Sequence, residues 1–392
     1  MRITSVVGAR PNFMKIAPFC RAIDAHNAAV VAGERRGPAI EHTLVHTGQH
    51  YDVRMSATFF EQLNIPVPDI SLEIGSGSHA EQVGNTMIAF ERVLLDNPAD
   101  LVVVIGDVNA TLACSVTAKK LQVPVAHIEA GLRSGDMAMP EEINRLVTDR
   151  VADLLLAPDF ISVANLEREG EHADSVAMVG NIMIDTLDDN LAAAASLDLA
   201  AVVGEAIVGE LRDEPVPALS QDGYAVVTLH RPSNVDSPDT LGPLVDFIAG
   251  EVAREMPVVW PVHPRTLGRL EEFGLMARLA SAPNVLLTQP LGYHELLRLN
   301  MGARVMLTDS GGLQEECCVL GTPCLTLRDT TERPVTLREH GGTCWLVGGD
   351  MDRIVAAYGE ALRTSRSPHR PELWDGHTAE RCVEAMLKFA RP

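Results

Sequence analysis

The chain has 392 residues, 46% of them hydrophobic, which supplies packed cores, excludes a disordered chain and favours two domains. A formal net charge of −21 excludes nucleic acid as the main partner, yet a local cluster of Arg and Lys can still hold a small anion. Seven scattered cysteines without a CxxC pair read as reduced cytosolic thiols, with no disulfide framework and no metal site.

The first apolar run, RITSVVG, predicts a strand, and GARPNFMKIAP after it predicts a tight turn at Gly8 into a helix. Arg10 and Lys15 flank that helix start, where free N–H groups attract anions. TLVHTG is the next strand. Ser78 to Leu94 predicts a helix with a Ser78–Glu81 capping box and Ala80, Val83, Met87, Phe90 and Leu94 on one face. The strand LVVVIGD ends at Asp107, whose charge, with Asn109, also interrupts the most apolar window too early for a bilayer span.

PVAHIEA is a further strand, ending at Glu129, and the charged stretch GLRSGDMAMPEEINRLVTD follows it. With Pro140 as first helical residue, Ile143, Leu146, Val147, Val151 and Leu154 form an apolar face expected to pack inward. Glu141, Arg145 and Thr148 then project oppositely, Glu141 and Arg145 as an i,i+4 pair. DLLLAP and VAMVGN complete six strands in the first half.

An Ala-rich, acidic stretch from Asp185 to about Gly223 reads as a connector. Six more strand candidates follow: YAVVTLH, PVVWPVH, NVLLTQ, ARVMLTDS, PCLTLRD and TCWLVGG. The turns after the first two carry His230 with Arg231 and His263 with Arg265, suited to a phosphate contact or an acid. In DSGGLQEE, Ser310, Gly311 and Gly312 make a small-residue turn into a helix where N–H groups can meet a phosphate. Glu316, one turn on, suits either a ribose diol or the helix dipole as an exposed acid. LRDTTERPVT adds Arg328 and Arg333, and TAERCVEAMLKFA closes the chain as an amphipathic helix.

Strands alternating with helices predict an α/β protein of two doubly wound Rossmann-like domains facing across a cleft. The expected bounds are residues 1–190 for the first domain, 191–223 for the connector, 224–370 for the second domain and 371–392 for the closing helix. The N-terminus lacks a signal-peptide cleavage pattern, so a soluble, cytoplasmic protein is expected.

Ten ordered motifs resemble the non-hydrolysing UDP-N-acetylglucosamine 2-epimerases, of the two-domain GT-B fold. They are GARPNFMKIAP, TGQHYD, GDVNATLA, HIEAGLRSGD, MPEEINRLVTD, VGNIMIDTL, TLHRPSN, PVHPRT, LTDSGGLQEE and RDTTERP. The resemblance implies reversible C2 epimerisation of UDP-GlcNAc to UDP-ManNAc, through elimination of UDP to a 2-acetamidoglucal and re-addition. It implies Arg10 and Lys15 near the diphosphate and sugar, and Asp107, Glu129 and Glu141 as acid/base carboxylates oriented by Arg145. His230 would contact the diphosphate, with Ser310, Gly311, Gly312 and Arg333 around the phosphates and Glu316 on the ribose. It further implies a UDP-sugar substrate, a homodimer, and no metal or nicotinamide.

Leu291 and Leu296 stand where family members place a Gln and an aromatic residue near the uracil. Asp52 replaces one of two glutamines (Gln49 is kept) that, with His263, build a second substrate site in regulated members. No allosteric activation by the substrate is therefore expected. Rival readings are a 2-epimerase of another UDP-N-acetyl sugar such as a diacetamido-uronic acid, a hydrolysing 2-epimerase, a GT-B glycosyltransferase, and a non-catalytic nucleotide-sugar sensor.

Overall fold

Parallel strands buried on both faces must be apolar throughout, and LVVVI at Leu101–Ile105 is, with no residue more than 1% exposed. The computed structural model describes residues 1–8, 10–48, 63, 65–208, 217–282 and 284–390, residues 10 and 11 in backbone only. Two compact units divide the chain: Met1–Asp189 with Pro371–Pro392, and Asn190–Arg370.

The sheet of the first unit contains β1 (Arg2–Val7), β2 (Glu41–His46), β3 (Ile70–Ser71), β4 (Leu101–Ile105), β5 (Val125–Ile128), β6 (Leu154–Ala157) and β7 (Val176–Met178). Its order is β3-β2-β1-β4-β5-β6-β7, all parallel. The two-residue β3 is the one strand not anticipated from the apolar runs; it is too short to form one. The helices α1 (Arg10–Val31), α2 (His79–Asp96), α3 (Asn109–Lys120) and α4 (Pro140–Val151) flank the sheet, with α3 packed between α2 and α4. The capping box at α2 is formed: Ser78 Oγ accepts from the Glu81 amide at 3.3 Å, and Glu81 Oε2 from the Ser78 amide at 2.8 Å.

One expectation is reversed at α4. Glu142, Asn144, Arg145, Thr148 and Asp149 are buried, whereas Ile143 is 45% and Val147 36% exposed. The expected Glu141–Arg145 pair is replaced: Arg145 bonds Glu142 and Asp107, and Glu141 is exposed. The physical reason is polar satisfaction. The helix meets the loop leaving β5, whose Gly131, Ser134 and Gly135 amides need Asp149 and Glu142 as acceptors. It also meets the loop leaving β4, whose Asp107 carbonyl needs Asn144 as donor. These needs outweigh burial of two aliphatic side chains.

The sheet of the second unit contains β8 (Ala225–Thr228), β9 (Val258–Pro261), β10 (Val285–Thr288), β11 (Val305–Thr308), β12 (Cys324–Thr326) and β13 (Cys344–Leu346). They run parallel in the order β10-β9-β8-β11-β12-β13. Here α5 (Leu199–Ala206), from the Ala-rich stretch, buries Leu199 and Val203 with Tyr224, Val226 and Met306, and Val208 N donates to Leu287 O at 3.0 Å. Two further helices, α6 (Tyr293–Gly302) and α7 (Gly311–Leu320), flank the strands that carry the site.

The closing helix α8 (Thr378–Phe389) returns to the first unit and packs on α1. Asp185 accepts from the Thr378 and Ala379 amides at 3.1 and 2.7 Å, satisfying the free N–H groups of α8 from another element. Burial raises the Asp185 pKa against those bonds. Trp374, 1% exposed, donates Nε1–H to Pro158 O at 3.0 Å. Trp374→Ala should therefore destabilise the first unit by about 3–5 kcal/mol and expose the tail to protease. Denaturant unfolding with limited proteolysis checks this; wild-type behaviour would show that the tail is not held by that side chain.

Candidate active site

In doubly wound sheets, ligands lie beyond the carboxyl ends of the strands where the strand order reverses. That point falls between β1 and β4 in the first unit. Gly8 after β1 lets α3 approach closely, since a Cβ there would lie 2.6 Å from Ala110 Cβ. Asn12, on the first turn of α1, accepts from the Gly8 amide at 3.1 Å and donates to Ile105 O at 2.8 Å, tying the two strand ends together. One turn on, Lys15 reaches Glu129 in an ion pair whose side chains are 8% and 2% exposed.

Glu129 holds a left-handed backbone, φ 73°, rare for a residue with a side chain. Gly106, after β4, has φ 69°, and a Cβ there would lie 3.1 Å from Lys15 Nζ and 3.2 Å from Glu129 Oε2. The next residue is Asp107, paired with Arg145 Nη1 at 2.5 Å, its carbonyl accepting from Asn144 Nδ2 at 2.8 Å. Arg145 Nε also donates to Glu142 at 2.9 Å. Glu142 in turn accepts from the Ser134 and Gly135 amides at 3.0 and 2.8 Å, clamping the Gly131–Gly135 loop. Burial alone would raise the Glu142 pKa; the Ser134 amide, Arg145 and the Gly135 amide outweigh it and leave it below the ordinary value.

The second unit reverses its strand order between β8 and β11. Asp309, after β11, has a fully buried carboxylate that accepts from the His230 and Arg231 amides at 3.0 and 2.9 Å and from Asn234 Nδ2 at 3.0 Å. His230 Nδ1 lies 2.7 Å from Asp309 Oδ1, which turns Nε2 outward on a ring that is 43% exposed. Burial opposes ionisation of Asp309, but His230, the Arg231 amide and Asn234 prevail and lower its pKa. The His230 ring lies 5.7 Å from that of His263, whose Nδ1 accepts from the Arg265 amide at 3.1 Å. Arg265 itself is held by Asp236, Nε to Oδ1 2.9 Å.

Beyond Asp309, Ser310 precedes α7, and a Cβ on Gly312 would meet nothing within 4 Å, so the helix start is open. Gly311 is closely met by Glu332, 2.5 Å from a would-be Cβ, and Glu332 pairs with Arg328 at 2.7 Å. Arg333 pairs with buried Glu315 at 2.7 Å. Glu316 is no exposed first-turn acid: it is 5% exposed, and burial together with Glu315 pushes its pKa up to about 8, only partly offset by Asn300 and Tyr293. Leu291 is half-buried against the core around Leu299.

The structure thus gathers Lys15, Asp107, Glu129 and Arg145 around Gly106, and His230 with Ser310–Gly312 around Asp309. The Arg10 side chain, Gln49 and Asp52 lie outside the described residues. Asn12, Asn144 and the anchoring role of Asp309 were missed by sequence reasoning; only their position at strand ends marks them. All seven cysteines are free and buried. No helix among the described residues is long and apolar enough to cross a membrane.

Two Rossmann-like units, each with polar groups at the switch point of a parallel sheet, define an enzyme of the GT-B fold. Within it the chain belongs to the UDP-N-acetylglucosamine 2-epimerase family, isomerases whose sequence pattern matches residues 34–387. It is 38% identical to the UDP-N-acetylglucosamine 2-epimerase of Methanocaldococcus jannaschii over 98% of this chain and 99% of that one. The crystal structure of that enzyme with UDP-GlcNAc and UDP superposes with a TM-score of 0.83, covering 99% and 100% of the two chains. A UDP-2,3-diacetamido-2,3-dideoxy-D-glucuronate 2-epimerase of Pseudomonas aeruginosa is 39% identical over 99% of this chain and 100% of that one. The Neisseria meningitidis UDP-GlcNAc 2-epimerase bound to UDP-GlcNAc gives a TM-score of 0.82 at 28% identity, covering 99% and 100%.

Two stability measurements test this geometry. Gly106→Ala places a side chain at positive φ against the Lys15–Glu129 pair and should cost about 1–2 kcal/mol from the backbone alone; an unchanged unfolding free energy would contradict it. For Glu316, the unfolded chain releases its proton from about pH 4.5 while the folded chain keeps it to about pH 8. Stability present below pH 4.5 therefore declines as pH rises, and the loss is complete above about pH 8. Glu316→Gln should flatten that decline between these limits and be the more stable protein at pH 8. A Glu316→Gln curve parallel to wild type would refute the shifted carboxyl.

Proposed function

We propose that the protein interconverts UDP-GlcNAc and UDP-ManNAc by inversion at C2. The observation that carries this reading is the split of chemistry between the units. One gathers a buried carboxylate, Glu129, and a partly exposed one, Asp107, with Lys15 and Arg145 around Gly106; the other offers His230, held by Asp309, beside an open helix start. C2 of the sugar is not next to a carbonyl, so its proton is too weakly acidic for simple abstraction. Elimination removes the difficulty: a base takes the C2 proton as the C1–O bond breaks, giving a 2-acetamidoglucal and UDP. Re-addition of UDP, with a proton delivered to the opposite face, gives the epimer.

In this reading Asp107, Glu129 and Glu141 serve the two faces of the ring, with Arg145 orienting Asp107. Glu141 is exposed at the start of α4. Arg10, Lys15 and His230 stabilise charge on the departing diphosphate, Ser310, Gly311, Gly312 and Arg333 hold the phosphates, and Glu316 takes the ribose. We place the enzyme in the cytoplasm, supported by its free buried thiols, and as a homodimer, supported by the exposed Ile88 and Leu95 of α2 and Ile143 and Val147 of α4.

A second reading, 2-epimerisation of a UDP-diacetamido-uronic acid, is favoured by the 39% identity to the Pseudomonas aeruginosa relative. Both sugars should be supplied in deuterated water and followed by NMR. Deuterium at C2 of both epimers of UDP-GlcNAc is the expected result. Turnover of the diacetamido sugar alone would move the assignment, and epimerisation retaining the original hydrogen would sink the elimination route. Glu141→Gln should lower kcat by about 10²–10⁴-fold with the fold intact. Near-wild-type turnover would return Glu141 to a surface acid.

A further inference from the structure

His127 is the third residue of β5, wholly buried, in a strand otherwise apolar. Its Nε2 lies 2.8 Å from the carbonyl oxygen of Gly106 and its Nδ1 2.6 Å from Asp149 Oδ1 on α4. The Gly106 carbonyl can only accept, so Nε2–H donates. Asp149 is a carboxylate: burial opposes its charge, but His127, Arg133 and the Gly131 amide lower its pKa. Nδ1 faces that carboxylate, so both ring nitrogens are engaged and the ring bridges Gly106 and Asp149. The second oxygen of Asp149 accepts from the Gly131 amide at 2.9 Å and from Arg133 Nη1 at 2.7 Å. Arg133 is fixed in turn by both oxygens of Glu169, at 2.8 and 2.6 Å.

These bonds form one path from Gly106, the neighbour of Asp107, to Gly131, two residues past Glu129. Glu129 sits between two restraints: its own amide and that of Ala130 donate to Leu156 O at 3.1 and 3.2 Å, and Asp149 holds the chain at Gly131. A left-handed backbone at a residue with a side chain persists only where the surroundings over-determine it. The geometry points to His127 and Asp149 as positioning residues for the reaction, a strut that sets the spacing of the Asp107 and Glu129 carboxylates. The strut touches neither sugar nor phosphate and acts through the backbone of the two loops. This inference rests on the epimerase reading above.

Asp149→Ala and His127→Gln test it. An alanine offers no partner to the His127 ring, the Gly131 amide or Arg133, so it serves neither side of the strut. A glutamine can meet Gly106 or Asp149 but not both. Each variant should lose about 10- to 100-fold in kcat, with KM and UDP affinity within about twofold of wild type. The deuterium isotope effect with C2-deuterated UDP-GlcNAc separates positioning from folding. A smaller folded fraction scales kcat and leaves that effect unchanged, whereas a displaced base slows proton abstraction and raises the effect towards its intrinsic value. Folded variants with wild-type kcat and isotope effect would overturn the inference, as would a loss carried by KM or UDP affinity. Variants that do not fold would make the pair part of the core and overturn it too. A wild-type chain that epimerises neither sugar would sink the epimerase reading itself, a distinct failure.

Discussion

An ionised carboxylate buried beside an ammonium, Glu129 against Lys15, is the constraint on which the first unit turns. Their side chains are 2% and 8% exposed, so neither charge has water to solvate it. Removing one partner of such a pair typically costs about 3–5 kcal/mol, because the other is left buried and alone. The surroundings are shaped to keep the pair together. Gly106 leaves room that a Cβ would fill, Asn12 laces the loop after β1 to the end of β4, and Glu129 accepts an unfavourable φ. Arg145, buried on α4, repeats the solution, compensated by Glu142 and Asp107.

The second unit solves a related problem with a different ion. Asp309 is buried by the sheet and satisfied by two amides, one side-chain amide and an imidazole, and that imidazole is left half in solvent. One face of His230 is thereby spoken for, and its other nitrogen faces outward with a defined orientation. Orientation of this kind costs nothing at the moment of reaction, because folding has already supplied it.

Much of this was legible in the chain, for a physical reason. Strands of a parallel sheet are buried on both faces, so runs such as LVVVI and AVVT stand out as apolar blocks, and polar residues just beyond them mark the ends where ligands lie. Residues 70–71 escaped because two residues make no run. The inward face of α4 escaped because apolar periodicity reports the core only when the whole face packs on apolar matter. Besides packing on α3, this helix turns Glu142 and Asp149 to the amides of the loop after β5. His127 was hidden inside a strand, where one polar residue among Val, Ala and Ile carries no mark of its partners. Glu316 looked like an ordinary acid of a helix's first turns, and nothing local to its sequence reveals its burial or its bonds with Asn300 and Tyr293.

The return of α8 to the first unit has a consequence for how the chain is made. Residues 190–370 are an insertion within a unit whose two segments lie on either side of it in sequence. During synthesis the second unit has all of its strands before the ribosome reaches Pro371, while α1 still lacks the helix that covers it. The unit begun first is completed last. Its α1 surface stays uncovered, and the carboxylate of Asp185 unanswered, until the last residues of the chain have been made.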